Sequence, residues 1–256
     1  MTEVLRTERL SVSYGGVQAL TEVDVAVDEG QLVGLIGPNG AGKTTFIDAA
    51  TGFTASTGRV VLGGEDVSTQ PPHRRARLGL ARTWQSADLF DDLSVRENLL
   101  VADAERNWRT TLGEVLTGRT RPAEHVDRAL ADVSLGRLAD QAADQLTQGQ
   151  RKLVGVARAL AARPRVICLD EPAAGLDTVE SEELGKRLRA VAERGTGLLL
   201  VDHDMGLVLS VCDHVVVLDF GKVIARGTPD QVRQDHQVIE AYLGSAADEV
   251  AAVEGQ

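Results

Sequence analysis

Only two cysteines occur in 256 residues. Cys168 and Cys212 lie inside apolar runs with no partner at metal-ligand spacing, which excludes a disulfide-stapled fold and predicts buried thiols in a reducing cytoplasm. Positive charge is also short: 27 basic against 38 acidic residues leave a net charge of -11. No bulk positive field exists to hold a phosphodiester backbone, so no nucleic-acid partner is expected. Lysine is scarcer still, with Lys43, Lys152, Lys186 and Lys222 the only four, which makes Lys43 conspicuous. A membrane-spanning helix of about 20 residues cannot be drawn. The most apolar stretch, Gly197 to Ala225, is interrupted by Asp202, His203, Asp204, Asp213, His214, Asp219 and Lys222. The opening Met1-Thr2-Glu3-Val4-Leu5-Arg6 lacks the basic-then-apolar order of a signal peptide, so no export leader is expected and any membrane contact should be peripheral.

What is present suits a soluble globular fold, with 43% apolar and 25% charged residues. Val23 to Val27 alternates as a half-buried strand does, and Leu32 to Ile36 reads as a fully buried one. A glycine-rich loop follows, then a helix over Thr44 to Ala50 with Gly52 as its C-cap. Gly58 to Gly64 reads as one arm of a hairpin, which with the first strands predicts a small antiparallel sheet. From Ser94 to Ala162 the pattern is mostly helical, with Val126, Leu130 and Val133 on one face and Leu153, Ala157 and Leu160 on another. Beyond Pro164 the chain alternates: strand Val166 to Leu169, helix Glu180 to Glu193, strand Leu198 to Val201, helix Met205 to Cys212, strand Val215 to Leu218. That order predicts a parallel sheet with crossover helices. A short strand, Val223 to Ala225, and a helix opened by Thr228-Pro229 complete the pattern, which contains no internal repeat.

Gly37-Pro38-Asn39-Gly40-Ala41-Gly42-Lys43-Thr44 fits the phosphate-loop spacing of glycine, four residues, then Gly-Lys-Thr, between a buried strand and a helix. Glycines let backbone N–H groups turn inward around phosphates, Lys43 can reach the β and γ phosphates, and Thr44 can ligate Mg²⁺. Val166 to Glu171 is an apolar strand ending in two carboxylates, at the end of an α/β strand where such sheets present chemistry. Asp170 suits a Mg²⁺ shell, and Glu171 is then free to orient or deprotonate an attacking water.

With these elements in place the chain resembles the ATP-binding cassette (ABC) ATPases over roughly residues 4 to 243. Leu146-Thr147-Gln148-Gly149-Gln150 is similar to their Leu-Ser-Gly-Gly-Gln signature and departs from it at Gln148. The resemblance implies that Thr147, Gly149 and Gln150 face the nucleotide of an opposite subunit, and that Tyr14 stacks on adenine. It also implies that Thr45 joins the phosphate loop and that Gln85 reaches both Mg²⁺ and the attacking water. Asp177, in Ala174-Gly175-Leu176-Asp177, would lie at the dimer interface, and His203 would donate to the γ-phosphate. The implied fold is an α/β P-loop NTPase (RecA-like) core with a small antiparallel β subdomain and an inserted α-helical subdomain. Residues 1–93 and 163–243 would form the core with its β subdomain, 94–162 the helical part and 244–256 a disordered tail.

A finer resemblance links Leu80-Ala81-Arg82-Thr83-Trp84-Gln85, Glu97 to Ala102, Glu171 to Leu176, Gly227-Thr228-Pro229 and Val238 to Gly244 to the ATP-binding subunits of branched-chain amino acid importers. Some members of that subgroup also carry a non-glycine residue where Gln148 stands. It implies an ATP- and Mg²⁺-dependent transport ATPase, peripheral on the cytoplasmic face of the bacterial plasma membrane. Its partners would be transmembrane permease subunits, a second ATPase subunit (identical or paralogous) and, indirectly, a solute-binding protein. Other cargo such as urea, amides or an envelope lipid, and a non-transport ABC ATPase, remain alternatives. Gln85 and residues 86–94 would form the groove for a permease helix, with Leu89 and Phe90 exposed in it. The run His73-Arg74-Arg75-Ala76-Arg77, with Arg82, reads either as a solvated helix face or as a site for an acidic partner.

Overall fold

The computed structural model describes residues 2–84, 89–101 and 124–242. Strands β1 (Glu3–Tyr14) and β2 (Val17–Asp28) pair antiparallel across a two-residue turn. Gly15 and Gly16 there both have positive φ, 54° and 90°, the geometry whose twist matches a hairpin. Both strands are longer than their alternation predicts. The pairing register shifts along β1, and Arg9 and Glu22 sit at positive φ, so the hydrophobic period breaks where the ladder bulges.

Strand β3 (Leu32–Ile36) leads through the glycine-rich loop into helix α1 (Lys43–Thr51), which Gly52 ends in the left-handed conformation. Then come β4 (Thr57–Leu62), β5 (Glu65–Asp66), α2 (Pro72–Arg77) and a three-residue strand, β6 (Leu80–Arg82), too short for any periodicity to announce. Helices α3 (Val95–Val101), α4 (Glu124–Asp132) and α5 (Gln148–Ala161) pack on one another. The rest alternates as predicted: β7 (Val166–Asp170), α6 (Thr178–Ala192), β8 (Gly197–Val201), α7 (Met205–Val211), β9 (His214–Asp219), β10 (Lys222–Gly227) and α8 (Pro229–Gln234). A further helical stretch covers 236–242. Helix α6 begins at Thr178, ahead of the predicted Glu180, because the Asp177 carboxylate accepts from the Glu180 N–H at 2.8 Å and caps the helix there.

Two sheets result. One is antiparallel, in the order β2-β1-β4-β5; the other runs β10-β9-β3-β8-β7-β6, parallel throughout except for β10 at its edge. Every residue of β3, β7 and β8 is buried, which is why these strands read as unbroken apolar runs. Successive side chains still take opposite faces. Leu32, Ile36, Ile167, Leu169, Leu198 and Leu200 join the core under the helices, whereas Val33, Leu35, Val166, Cys168, Leu199 and Val201 join the core shared with α1 and the antiparallel sheet. Gly34 leaves room for α7: a Cβ there would stand 2.4 Å from Val208 Cγ1. Both cysteines are buried and unpaired, and burial pushes the Cys168 thiol up to about 12. Among the described residues no helix is long and apolar enough to cross a membrane.

The arginine-rich run is not uniformly solvated. Arg74 and Arg77 are exposed, but Arg75 is buried, its guanidinium donating to the carbonyls of Ala49, Ala50, Gln70 and Ser68 at 2.7 to 2.9 Å. Two of those carbonyls lie in the last turn of α1, where the cation adds to the Gly52 N–H at Ala49 and serves the Ala50 carbonyl. Arg75→Ala should therefore destabilise the protein by about 2–4 kcal/mol, since two buried and two partly buried carbonyls lose a charged donor. Urea unfolding measures this directly; a midpoint equal to wild type would contradict it. Leu89 also departs from its expected exposure: it is buried with the helical core, leaving Phe90 alone exposed.

Candidate active site

The site is built at the carboxyl ends of the neighbouring strands β3, β8 and β7. After β3 the chain cannot carry ordinary side chains. A Cβ on Gly37 would meet the Leu218 carbonyl oxygen at 2.2 Å, and Gly42, at φ 103°, caps α1 with no side-chain hydrogen bond. The first N–H groups of α1 are thus left without a side-chain acceptor, as an anion-binding helix start requires. Pro38, Asn39, Gly40 and Ala41 complete the turn, with Asn39 and Gly40 exposed; Thr44 is exposed and Thr45 half-buried.

Lys43 is buried at the first position of α1. Its Nζ donates to the Gly37 carbonyl at 2.7 Å and the Pro38 carbonyl at 3.0 Å, folding back into the loop. Burial lowers its pKa, while the charges of Glu171, Asp202 and Asp170 pull it upward. The ammonium, held by two loop carbonyls, is therefore within the field of three carboxylates.

Asp170 ends β7, almost wholly buried. Burial raises its pKa, opposed by Arg82, whose guanidinium donates to Oδ2 at 2.9 Å. Glu171 follows at φ 45°, a left-handed conformation uncommon for a residue with a Cβ, held by its N–H donating to the Val201 carbonyl at 2.7 Å. Its Oε2 stands 3.9 Å from Nδ1 of His203, which is itself 3.5 Å from Asp202 Oδ1. The structure thus brings the phosphate loop, Lys43, Asp170, Glu171 and His203 to one edge of the sheet.

Two residues to which the sequence assigned no role belong here as well. Asp202, fully buried, accepts from the N–H groups of His203, Asp204 and Ala173 at 2.8 to 3.1 Å, fixing the loop after β8 to the loop after β7. Burial raises its pKa and those N–H groups lower it. Its signal was a carboxylate at the end of a fully apolar strand. Lys152 of α5 feels the charges of Asp202 and Glu171, while burial lowers its pKa.

The remaining predicted residues occupy other positions. Thr147 caps α5: its hydroxyl accepts from the Gln150 N–H at 3.2 Å, and Gln150 Oε1 accepts from the Thr147 N–H at 3.0 Å. That reciprocal pair uses the Thr147 hydroxyl as an acceptor, so its O–H can still donate. Gly149 allows close packing on α6, where an added Cβ would be 3.2 Å from Glu180 Oε1. Asp177 is exposed at the start of α6, and Gly175 lies near Gln148, so the Thr147 and Asp177 segments adjoin. Tyr14 ends β1, 51% exposed, its hydroxyl 3.3 Å from Thr54 Oγ1. Gln85, residues 86–88 and the tail 244–256 lie outside the described residues.

Residues 20–174 match the ABC transporter family, and residues 222–248 match a second family, the branched-chain amino acid ATP-binding cassette transporter. Over 95% of this chain and 98% of the relative, the sequence is 39% identical to the high-affinity branched-chain amino acid transport ATP-binding protein BraF of Pseudomonas aeruginosa. It is 36% identical to the corresponding LivG protein of Escherichia coli K12, with the same coverage. It is also 37% identical to the lipopolysaccharide export system ATP-binding protein LptB of Haemophilus influenzae, over 94% of this chain and 97% of that one. Among solved structures, an ATP-binding cassette of an ABC transporter in its ADP conformation superposes with a TM-score of 0.84 at 31% identity, covering 95% of this chain and all of that one.

Proposed function

We propose, for a chain that belongs to the ABC transporter ATP-binding family, that its ATP hydrolysis drives import of branched-chain amino acids through separate transmembrane permease subunits. Hydrolysis of ATP is the family's chemistry; the cargo, its direction and the partners are our reading. The observation that carries the cargo is the match of residues 222–248 to the branched-chain amino acid family, a segment well away in sequence from the phosphate loop. The same reading sets the protein on the cytoplasmic face of the plasma membrane, with a solute-binding protein delivering cargo to the permease. Similarity to a lipopolysaccharide export ATPase supports a second reading, an envelope-lipid cargo. Uptake distinguishes the two. Cells lacking this subunit should lose high-affinity uptake of radiolabelled leucine, isoleucine and valine, whereas normal uptake of all three with an envelope-lipid defect would favour the second.

In the mechanism we infer, the N–H groups of the phosphate loop and the Lys43 ammonium bind the phosphates. The two carbonyl hydrogen bonds of Lys43 are exchanged for phosphate oxygens. Glu171 accepts the proton of the attacking water, and His203, anchored through Asp202, donates to the γ-phosphate. Among the described residues no group of three or more His, Cys, Asp or Glu converges as a metal cluster. Thr44 in the first turn of α1 and Asp170 at the end of β7 instead offer one hydroxyl and one carboxylate. That donor set fits Mg²⁺, which takes few protein ligands beside substrate phosphates and water; Thr44 and Asp170 would hold it, with Gln85. When bound, Mg²⁺ would neutralise charge developing on the phosphates. Tyr14 would stack on adenine, and Thr147, Gly149, Gln150 and Asp177 would complete the site of a second ATPase subunit.

A further inference from the structure

Arg82 is a buried cation to which the nucleotide chemistry assigns nothing. It ends β6, and its side chain is 7% exposed. One terminal nitrogen pairs with Asp48 of α1, and the other donates to Asp170 Oδ2 at 2.9 Å. The guanidinium lies 4.1 Å from the centroid of the Trp84 ring and 5.8 Å from that of Phe53, and the two rings meet edge-on at 5.3 Å. Both rings are about half exposed.

A buried charge persists only where its partners repay the lost hydration, and here two carboxylates and two aromatic rings are those partners, while Nε is buried without a hydrogen bond among the described residues. The arrangement requires a fork: the two carboxylates come from different elements and each meets its own terminal nitrogen, with the Trp84 and Phe53 rings alongside, which a lysine ammonium cannot reproduce. The backbone reinforces the same junction. The Thr83 N–H donates to the Cys168 carbonyl at 2.9 Å, and the Asp170 N–H donates to Thr83 Oγ1 at 3.3 Å. Arg82 engages only Oδ2 of Asp170; among the described residues Oδ1 takes no hydrogen bond from it.

We propose that Arg82 is the positioning residue of the metal-nucleotide site: it fixes the Asp170 carboxylate through Oδ2, leaves Oδ1 for the cation, and ties both to Asp48 and the exposed Phe53–Trp84 pair. The inference rests on the reading above, in which Asp170 is a cation ligand, and adds what orients that ligand. Trp84 is the residue before Gln85 in the chain, and the same guanidinium links the half-exposed Phe53–Trp84 pair to the metal ligand.

The test separates metal affinity from nucleotide affinity. Mn²⁺ binding to the full chain at saturating ADP is titrated by electron paramagnetic resonance, and a fluorescent ADP derivative is titrated in EDTA. Arg82→Ala should weaken Mn²⁺ about tenfold or more, the usual cost of losing a group that orients a metal ligand, while metal-free ADP binding stays unchanged. Arg82→Lys should not restore the loss. Asp48→Asn, which releases only the distal arm, should weaken Mn²⁺ in the same direction by less, and it serves as the test where Arg82→Ala does not fold. Wild-type Mn²⁺ affinity in these variants, or an equal loss of metal-free ADP binding, overturns the proposal. Failure of the unsubstituted chain to bind ADP would instead overturn the nucleotide-site reading.

Discussion

Lys43→Ala is expected to abolish ATP turnover and to weaken ATP binding by about 10²-fold, as befits the loss of one or two charge-assisted hydrogen bonds to phosphate. Among the described residues no other cation is so placed: Lys43 is buried at the start of α1 with its ammonium already inside the loop. Its surroundings amplify the effect. Glu171, Asp202 and Asp170 all act on that ammonium, so its removal leaves their repulsion of an incoming polyphosphate less offset, with Arg82 still paired to Asp170 and Lys152 still acting on Asp202 and Glu171. Two carbonyls, of Gly37 and Pro38, also lose their donor, and loss of activity could therefore reflect a distorted loop. Circular dichroism and the thermal midpoint of the variant address that, as does Lys43→Arg, which keeps the charge but changes its shape. Fluorescence titration with ATP and a phosphate-release assay are the measurements. Wild-type turnover in Lys43→Ala would remove the phosphate-loop assignment.

The parallel sheet and the phosphate loop were legible because their signals are local. A strand buried on both faces carries no polar residue to confuse its pattern, as Val166 to Leu169 and Leu198 to Val201 illustrate. The loop announces itself through glycines whose missing Cβ atoms the packing demands, at Gly37 above all. Legibility failed where the decisive partner is distant in the chain. Arg75 and Arg82 look like surface charge in sequence, yet their acceptors lie 25 residues away at Ala50 and 88 residues away at Asp170. Asp202 was hidden for the same reason, since one of its three donors, Ala173, is 29 residues earlier. In β1 and β2 the alternation was present but broken by bulges at Arg9 and Glu22. The left-handed conformation of Glu171 had no sequence signal, because a glutamate carries none of the usual preference for it.

That conformation bears on the second large effect, expected for Glu171→Gln. Glutamine keeps the size, the backbone strain at φ 45° and the N–H donated to Val201, but its amide cannot take a proton from water. Hydrolysis should fall by about 10²-fold or more, the ordinary contribution of a general base, with ATP binding retained. The consequence extends to assembly. If each nucleotide is held by the phosphate loop of one subunit and by Thr147 to Gln150 of another, a site that binds ATP without cleaving it accumulates the joined state. The Thr147 hydroxyl is suited to that role, since it accepts from the Gln150 N–H and its proton remains to donate. By mass action, a ligand that binds only the joined state shifts the equilibrium according to its differential affinity. Mg-ATP should therefore produce dimers of the variant, and ADP should not. Size-exclusion chromatography reads the outcome: dimers of the variant alone indicate a homodimer, and dimers only on mixing with a paralogous ATPase indicate a heterodimer. A monomer in both cases at saturating Mg-ATP would contradict the shared site, and undiminished hydrolysis would remove Glu171 as the base.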